Sequence, residues 1–198
     1  GYHVRYEDGY ESWSPKDTFE KAYKIAETPV DRMQIEAEEV NGRYVKLAAF
    51  IDSGKMDEVV NDMYNKCLLE MQCCTMFDYI RLLDTRIQRM QGSDSAEVRK
   101  MNFGMAIMAL KAGYPIRRSG WNGKGLMVFK QVPAHIESDV IPKMQSLPQS
   151  AKDLILKGKG FIDYTSQCLI YNENTGRADS WVPSISDVFA DDWEIVLS

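Results

Sequence analysis

The chain has 198 residues, 24 Lys and Arg against 29 Asp and Glu, a formal net charge of −5 and 44% hydrophobic residues. That length buries a real core in one or two domains, and the acidic balance excludes broad binding along a DNA or RNA backbone, which needs a basic face spanning many phosphates. No apolar run approaches the roughly 18 residues that cross a membrane, and no signal peptide is visible, so a cytoplasmic location is expected; Gly1 is no initiator, and upstream residues are expected to be missing.

Residues 1–27 form the first segment, reading as strand, Asp8-Gly9 turn, strand, then a short helix capped by Ser14 with Pro15 at its first position. Residues 28–91 carry a helical signal. Met33, Ala37, Val40, Tyr44, Leu47 and Ile51 alternate steps of four and three, and after a break at Ser53-Gly54 the stepping resumes through Leu69, Cys73, Met76, Ile80, Leu83, Ile87 and Met90. At about 1.5 Å per residue the two stripes run about 27 and 32 Å, which suits an antiparallel helical hairpin with a coiled-coil-like seam. Val60, Met63 and Cys67 belong to a helical connection or extend the second helix. Each helix buries one stripe only, so the hairpin reads as an oligomerisation or docking element.

The polar run Gln91–Ser95 separates that hairpin from the third segment, 92–198. Asn102 is the expected cap of a helix whose face is Phe103, Ala106, Ile107 and Leu110 and which closes at Gly113. A strand through Ile116 and Arg118 follows, then Asn122-Gly123 as a tight two-residue hairpin turn, and a strand from Leu126 to Val132. A loop from Pro133 to Pro148 leads to a helix over Gln149–Lys157 and a strand over Phe161–Tyr164. Near the end, Ser186 or Asp187 caps a short helix, Asp191 and Asp192 form the turn after it, and Trp193, Ile195 and Leu197 alternate as a last strand. The expected class is α+β: a small antiparallel sheet with a packed helix, preceded by a β-hairpin and a long antiparallel helical hairpin.

Catalytic signals are sparse. Cys67, Cys73, Cys74 and Cys168 contain no C-x-x-C pair, His3 and His135 lie far apart without metal-ligand spacing, and no G-x-x-x-x-G-K-(S/T) phosphate loop exists, so neither a metal nor a cofactor is expected. Asp187, Asp191, Asp192 and Glu194 are better read as cap and turn residues than as an acid/base site. What needs explaining is a local reversal of charge: residues 115–130 hold Arg117, Arg118, Lys124 and Lys130 and no acid. Read functionally, Trp121 offers a flat face to a base while Arg118, Lys124 and the turn amides meet phosphate oxygens. Read structurally, Trp121 packs a hairpin and the cations face solvent.

Three motifs tip the balance. The N-F-G-x-A-I helix start at Asn102, the G-W-N-G-K-G turn at residues 120–125 and the closing SWVPSISDVFADDWEIV at 180–196 together resemble the phage family called Thoeris anti-defence two. The resemblance covers about residues 100–197 and implies a non-enzymatic sponge. Such proteins sequester cyclic ADP-ribose isomers made by the TIR enzymes of Thoeris defence, as homotetramers with the ligand in pockets between subunits. Carried over by position, the implied ligand-binding residues are Asn102, Phe103, Trp121, Asn122, Lys124, Trp181, Ser184 and Asp187, with Arg118 beside them. Trp121 or Trp181 is the adenine-stacking surface, Arg118 and Lys124 meet the pyrophosphate, and Asn122, Ser184 and Asp187 bond ribose hydroxyls or the base edge. The stretch from Pro133 to Lys157 looks longer than the middle region of that family and leaves room for a second site; cyclic dinucleotides are further ligands of suitable chemistry. Residues 1–23 resemble a module that precedes sponge domains in phage proteins, and Arg32–Ile51 resembles a phage helical family of unassigned activity. The competing expectation is a non-catalytic docking protein acting through the helical hairpin.

Overall fold

Aromatic residues at alternate or helical spacing decide the start of the chain. In the computed structural model, which describes residues 1–24 and 26–197, Tyr2–Arg5 (β1) pairs antiparallel with Glu11–Ser14 (β2). Gly9 turns the loop between them with a φ of 84°, a conformation open to a residue without Cβ. Helix α1 (Lys16–Ala22) follows, and Phe19 stacks on Tyr2 at 4.4 Å and on Tyr23 at 4.8 Å. The expected Ser14 cap is not made: Ser14 still belongs to β2, Pro15 occupies the cap position, and no side chain caps the helix.

Pro29–Asp52 (α2) begins in a capping box, in which Thr28 Oγ1 accepts from the Asp31 amide and the Asp31 carboxylate accepts from the Thr28 amide. The helix ends at Ser53, and Gly54 turns the chain at φ 73°. After a five-residue helix α3 (Lys55–Val59) and a cap at Asp62, α4 runs from Met63 to Met90. The start of α2 meets the end of α4, since Met33 and Ala37 form one buried cluster with Leu83 and Ile87. The expected antiparallel hairpin is therefore present. Its seam is dry only at that end; Val40, Tyr44, Leu47, Ile51, Leu69, Cys73, Met76 and Ile80 are half-buried, Met90 and Cys67 are exposed, and Val60 falls in the link before α4.

The two compact units of the chain are Gly1–Glu97 and Val98–Ser198. In the second, the strands Ile116–Arg118 (β3), Leu126–Gln131 (β4), Gln167–Asn172 (β7), Arg177–Ser180 (β8) and Trp193–Ile195 (β9) form an antiparallel sheet in the order β8-β7-β4-β3-β9. Helix α5 (Phe103–Lys111) is capped by Asn102, whose Oδ1 accepts from the Met105 amide at 2.9 Å. It packs Met105, Ala106 and Leu110 against Ile116, Val128 and Trp193, with Phe103 and Ile107 at the margin of the core. The fold class is thus the α+β arrangement the sequence leads to, although β7 and β8 were not foreseen.

Two further expectations change. Asn122-Gly123 does not close a two-residue hairpin; β3 and β4 are joined by residues 119–125 and share the single register pair Ile116↔Val128. Nor is 133–148 one loop. Ala134–Ile136 (β5) pairs with Ile162–Tyr164 (β6), and the register runs on from Gln131↔Gln167 to Ala134↔Tyr164, so β4-β5 and β6-β7 form the two sides of one arm. A 3-10 turn (Ile141–Lys143) and α6 (Gln149–Lys157) fill its tip. Among the described residues no helix is long and apolar enough to cross a membrane. Leu83 is the most enclosed side chain of the hairpin at 1% exposure. Leu83→Ala should cost about 2–5 kcal/mol in urea unfolding followed by helical circular dichroism.

Candidate functional site

A helix of one turn does not persist on backbone propensity, so α7 (Ile185–Val188) must be held by its surroundings. Ser184 Oγ accepts from the Asp187 amide at 3.2 Å, and Asp187 Oδ2 accepts from the Ser184 amide at 2.9 Å and from its hydroxyl at 2.7 Å. The cap is Ser184, with Asp187 as its reciprocal partner; the expected caps Ser186 and Asp187 both lie inside the helix. The other oxygen of Asp187 accepts from Arg118 Nη1 at 3.0 Å and from the Trp121 indole Nε1 at 3.1 Å. One buried carboxylate, 7% exposed, thereby ties together β3, the 119–125 connection and α7.

Asp192 completes the arrangement. It accepts from Arg118 Nε at 2.7 Å and from the Gly120 amide at 2.8 Å, while the Ser119 amide donates to its carbonyl at 3.0 Å. A Cβ at Gly120 would stand 2.5 Å from Asp192 Oδ2, so a larger residue here would have to displace the Asp192 carboxylate. One strand step away, Arg117 faces Glu194 across the β3-β9 pair, with Nε 3.1 Å from Oε2. The reversal of charge in 115–130 is explained in part: two of its four cations are matched to the acidic residues 187–194 within the fold.

The aromatic candidates converge on Trp193, which is fully buried and donates from Nε1 to the Asp187 carbonyl at 3.1 Å. Trp121 and Trp181 approach it edge to face at 5.5 and 6.2 Å, and Phe103 lies tilted against it at 5.6 Å. Arg118, Trp121, Ser184 and Asp187 are therefore joined by direct hydrogen bonds, and Phe103 and Trp181 are joined to them through Trp193. Asn102 is occupied as the α5 cap. Asn122 and Lys124 are exposed on the 119–125 connection, where the Lys124 carbonyl accepts from Asn174 Nδ2 at 2.7 Å. Gly120, Asp192 and Trp193 were not singled out as site residues; the excess of acid at 187–194 opposite an acid-free basic stretch is the signal that points to Asp192. Val182, Ile185 and Phe189, each about 80% exposed, flank the buried Asp187.

Burial pushes the Asp187 carboxyl up, but the Ser184 amide and hydroxyl, Arg118 and Trp121 outweigh it and bring its pKa to about 2. Asp192 is lowered in the same contest, with Arg118 the main opponent of burial. A carboxylate so satisfied has no proton to give near neutral pH, and its oxygens are engaged by donors of the fold. His135 lies elsewhere, on β5, with Nδ1 2.6 Å from Asp163 and Nε2 3.3 Å from Glu137; the hydrogen bond to Asp163 is the main reason its pKa is raised.

The Asp187 value carries a sign. Its folded pKa lies below the unfolded value of 3.8, so its contribution is complete above that value and is lost as pH falls through about 2. The contribution is on the order of 2 kcal/mol. Asp187→Asn should remove that acid-dependent step, and chemical denaturation of both proteins at pH 2 to 6 measures the difference.

The family model described as the Thoeris anti-defense 2-like domain matches residues 101–196, and one described as Sequestin matches residues 27–89. The chain is 33% identical over 102 residues to the protein Thoeris anti-defense 2 of Bacillus phage SP01, an alignment that takes 49% of this chain and 96% of the relative. With a relative of this identity matched almost end to end, the chain belongs to the Thoeris anti-defense 2 family of phage anti-defence proteins.

Proposed function

We propose that the protein acts as a sponge in the cytoplasm of the infected bacterium, binding cyclic ADP-ribose isomers of the Thoeris system whole, without cleaving them, and keeping them from their effector. The observation that carries this reading is the family membership of residues 101–196. Cyclic dinucleotides, with purine bases and two phosphates, are a second ligand class. No metal or cofactor has a part in this chemistry.

The geometry suggests how the work is divided. Arg118 already has its charge balanced by Asp187 and Asp192, and the Asp187 carboxylate is taken up by Ser184, Arg118 and Trp121, so these residues set the position of the 119–125 connection. Lys124 and Asn122, exposed on that connection, are then the groups that meet pyrophosphate and ribose, and the outer face of Trp121 or Trp181 takes the base. Asn102 and Phe103 support the site from the start of α5.

Nanomolar retention corresponds to about 12 kcal/mol, which exposed contacts on one copy do not supply. Water must be excluded. The exposed apolar side chains Val182, Ile185 and Phe189 beside α7 are suited to packing on a further copy, and closing the pocket between copies, in a homotetramer, supplies that exclusion.

In the decisive experiment, the purified protein is mixed with signal made by Thoeris TIR enzymes, freed of unbound ligand and heated, and the released compound is identified by mass spectrometry. Intact cyclic ligand is expected. Lys124→Glu should reduce retention at least tenfold without changing the melting temperature. A linear ADP-ribose product would reveal turnover and overturn the reading, as would a wild-type protein that leaves the signal free. A folded Trp121→Ala variant with full retention would move the stacking role to Trp181.

A further inference from the structure

The 119–125 connection is held at both of its ends. At the first, Ser119, Gly120 and Trp121 donate to Asp192 and Asp187. At the second, the last register pair of β4 and β7 is Leu126↔Asn172, and the ladder runs one step beyond it, with the Glu173 amide donating to the Gly125 carbonyl at 2.9 Å. One residue further on, where strand pairing has ended, the Asn174 side chain takes over and donates from Nδ2 to the Lys124 carbonyl at 2.7 Å. Two consecutive carbonyls of the connection are thus caught by two consecutive residues of the β7-β8 turn.

An asparagine is common in hairpin turns for the sake of the turn alone. Here the turn closes without the Asn174 carboxamide: Asn172 Oδ1 accepts from the Asn174 amide at 2.9 Å, the Asn172 carbonyl accepts from the Gly176 amide at 2.8 Å, and Gly176 takes a φ of 70°. The Asn174 side chain is therefore spare to its own turn and committed to a residue 50 positions away. Gly125 is fitted to that contact from the other side. Its φ is 76°, and a Cβ there would stand 2.6 Å from both Asn174 Nδ2 and Glu173 Cγ, so a larger residue would strain the backbone and push the turn aside. The result is a Lys124 whose backbone is fixed and whose side chain is exposed. Ordering a mobile loop and a long side chain together weakens any contact they make, and a backbone fixed beforehand removes the loop's share of that cost.

We infer that the β7-β8 turn is the second anchor of the connection and that Asn174 is a positioning residue for Lys124, an inference that rests on the ligand contact proposed for Lys124 above. The test uses the whole chain, with the purified signal of Thoeris TIR enzymes as probe. In Asn174→Ala the peptide covering 119–125 should exchange its amide hydrogens faster, while β4 and β7 exchange as in the wild type. Calorimetry should show binding about three- to tenfold weaker, the range expected when one supporting hydrogen bond is lost. Lys124→Ala should also bind more weakly than the wild type, and adding Asn174→Ala to it should weaken binding no further, because Asn174 acts through Lys124. Gly125→Ala reaches the same anchor from its other side and should loosen the same peptide. Wild-type exchange of that peptide in Asn174→Ala, or losses that add in the double variant, would overturn the inference. A wild-type chain that binds no signal would strike the sponge reading instead, and the exchange comparison, which needs no ligand, would still decide whether the turn anchors the connection.

Discussion

The second unit depends on the Asp187 carboxylate more than on any other single group. Four hydrogen bonds reach its oxygens, from the Ser184 amide and hydroxyl, Arg118 and Trp121, and its backbone carbonyl takes a fifth from Trp193. A buried charge is tolerable only when it is matched this fully, and removing any donor leaves desolvation uncompensated. The geometry of the G-W-N-G-K-G connection follows from this constraint. Trp121 is fixed by its indole nitrogen, Gly120 by its amide on Asp192, and the residues between Trp121 and Gly125 are left to face outward.

The same constraint explains why three segments far apart in sequence carry recognisable motifs. Asn102 starts α5, and the preceding Met101 exchanges backbone hydrogen bonds with Trp193. Trp193 packs against Phe103, Trp121 and Trp181, so the first two motifs contribute one aromatic ring each to a shared centre and the closing motif two. A change in one segment is therefore felt in the others through packing as well as through charge.

Legibility in the sequence followed the strength of the periodic signal. The helical hairpin was readable because two long stripes keep the same stepping, and α5 because an Asn cap precedes four residues on one face. Strand β7 escaped because Cys168–Tyr171 is a continuous run without alternation, and β8 because Arg177–Ser180 is exposed throughout and has no apolar pattern to detect. The Asn122-Gly123 turn misled for a different reason: the dipeptide favours a tight hairpin, but the Gly120 amide and the Trp121 indole are claimed by Asp192 and Asp187, and those tertiary bonds hold the connection open. At the site, the residue types were legible and their roles were not, since no spacing rule reveals that Arg118 turns toward carboxylates 69 and 74 residues away.

That pairing changes how the proposed ligand is attracted. Of the four cations between residues 115 and 130, Arg117 and Arg118 are matched inside the fold, and the chain as a whole carries a charge of −5. Long-range steering of a dianion is therefore weak, and at physiological ionic strength fields beyond about 8 Å are screened in any case. Association with a nucleotide would proceed at an unassisted rate, so tight retention has to come from slow release. For the proposed sponge, slow release would follow if Lys124 acted in a site closed to water, where one charge-assisted contact is worth far more than on an open surface. The exposed Val182, Ile185 and Phe189 beside α7 are apolar surface on which such a closure could form, so in the proposed function self-association and sequestration are physically one question.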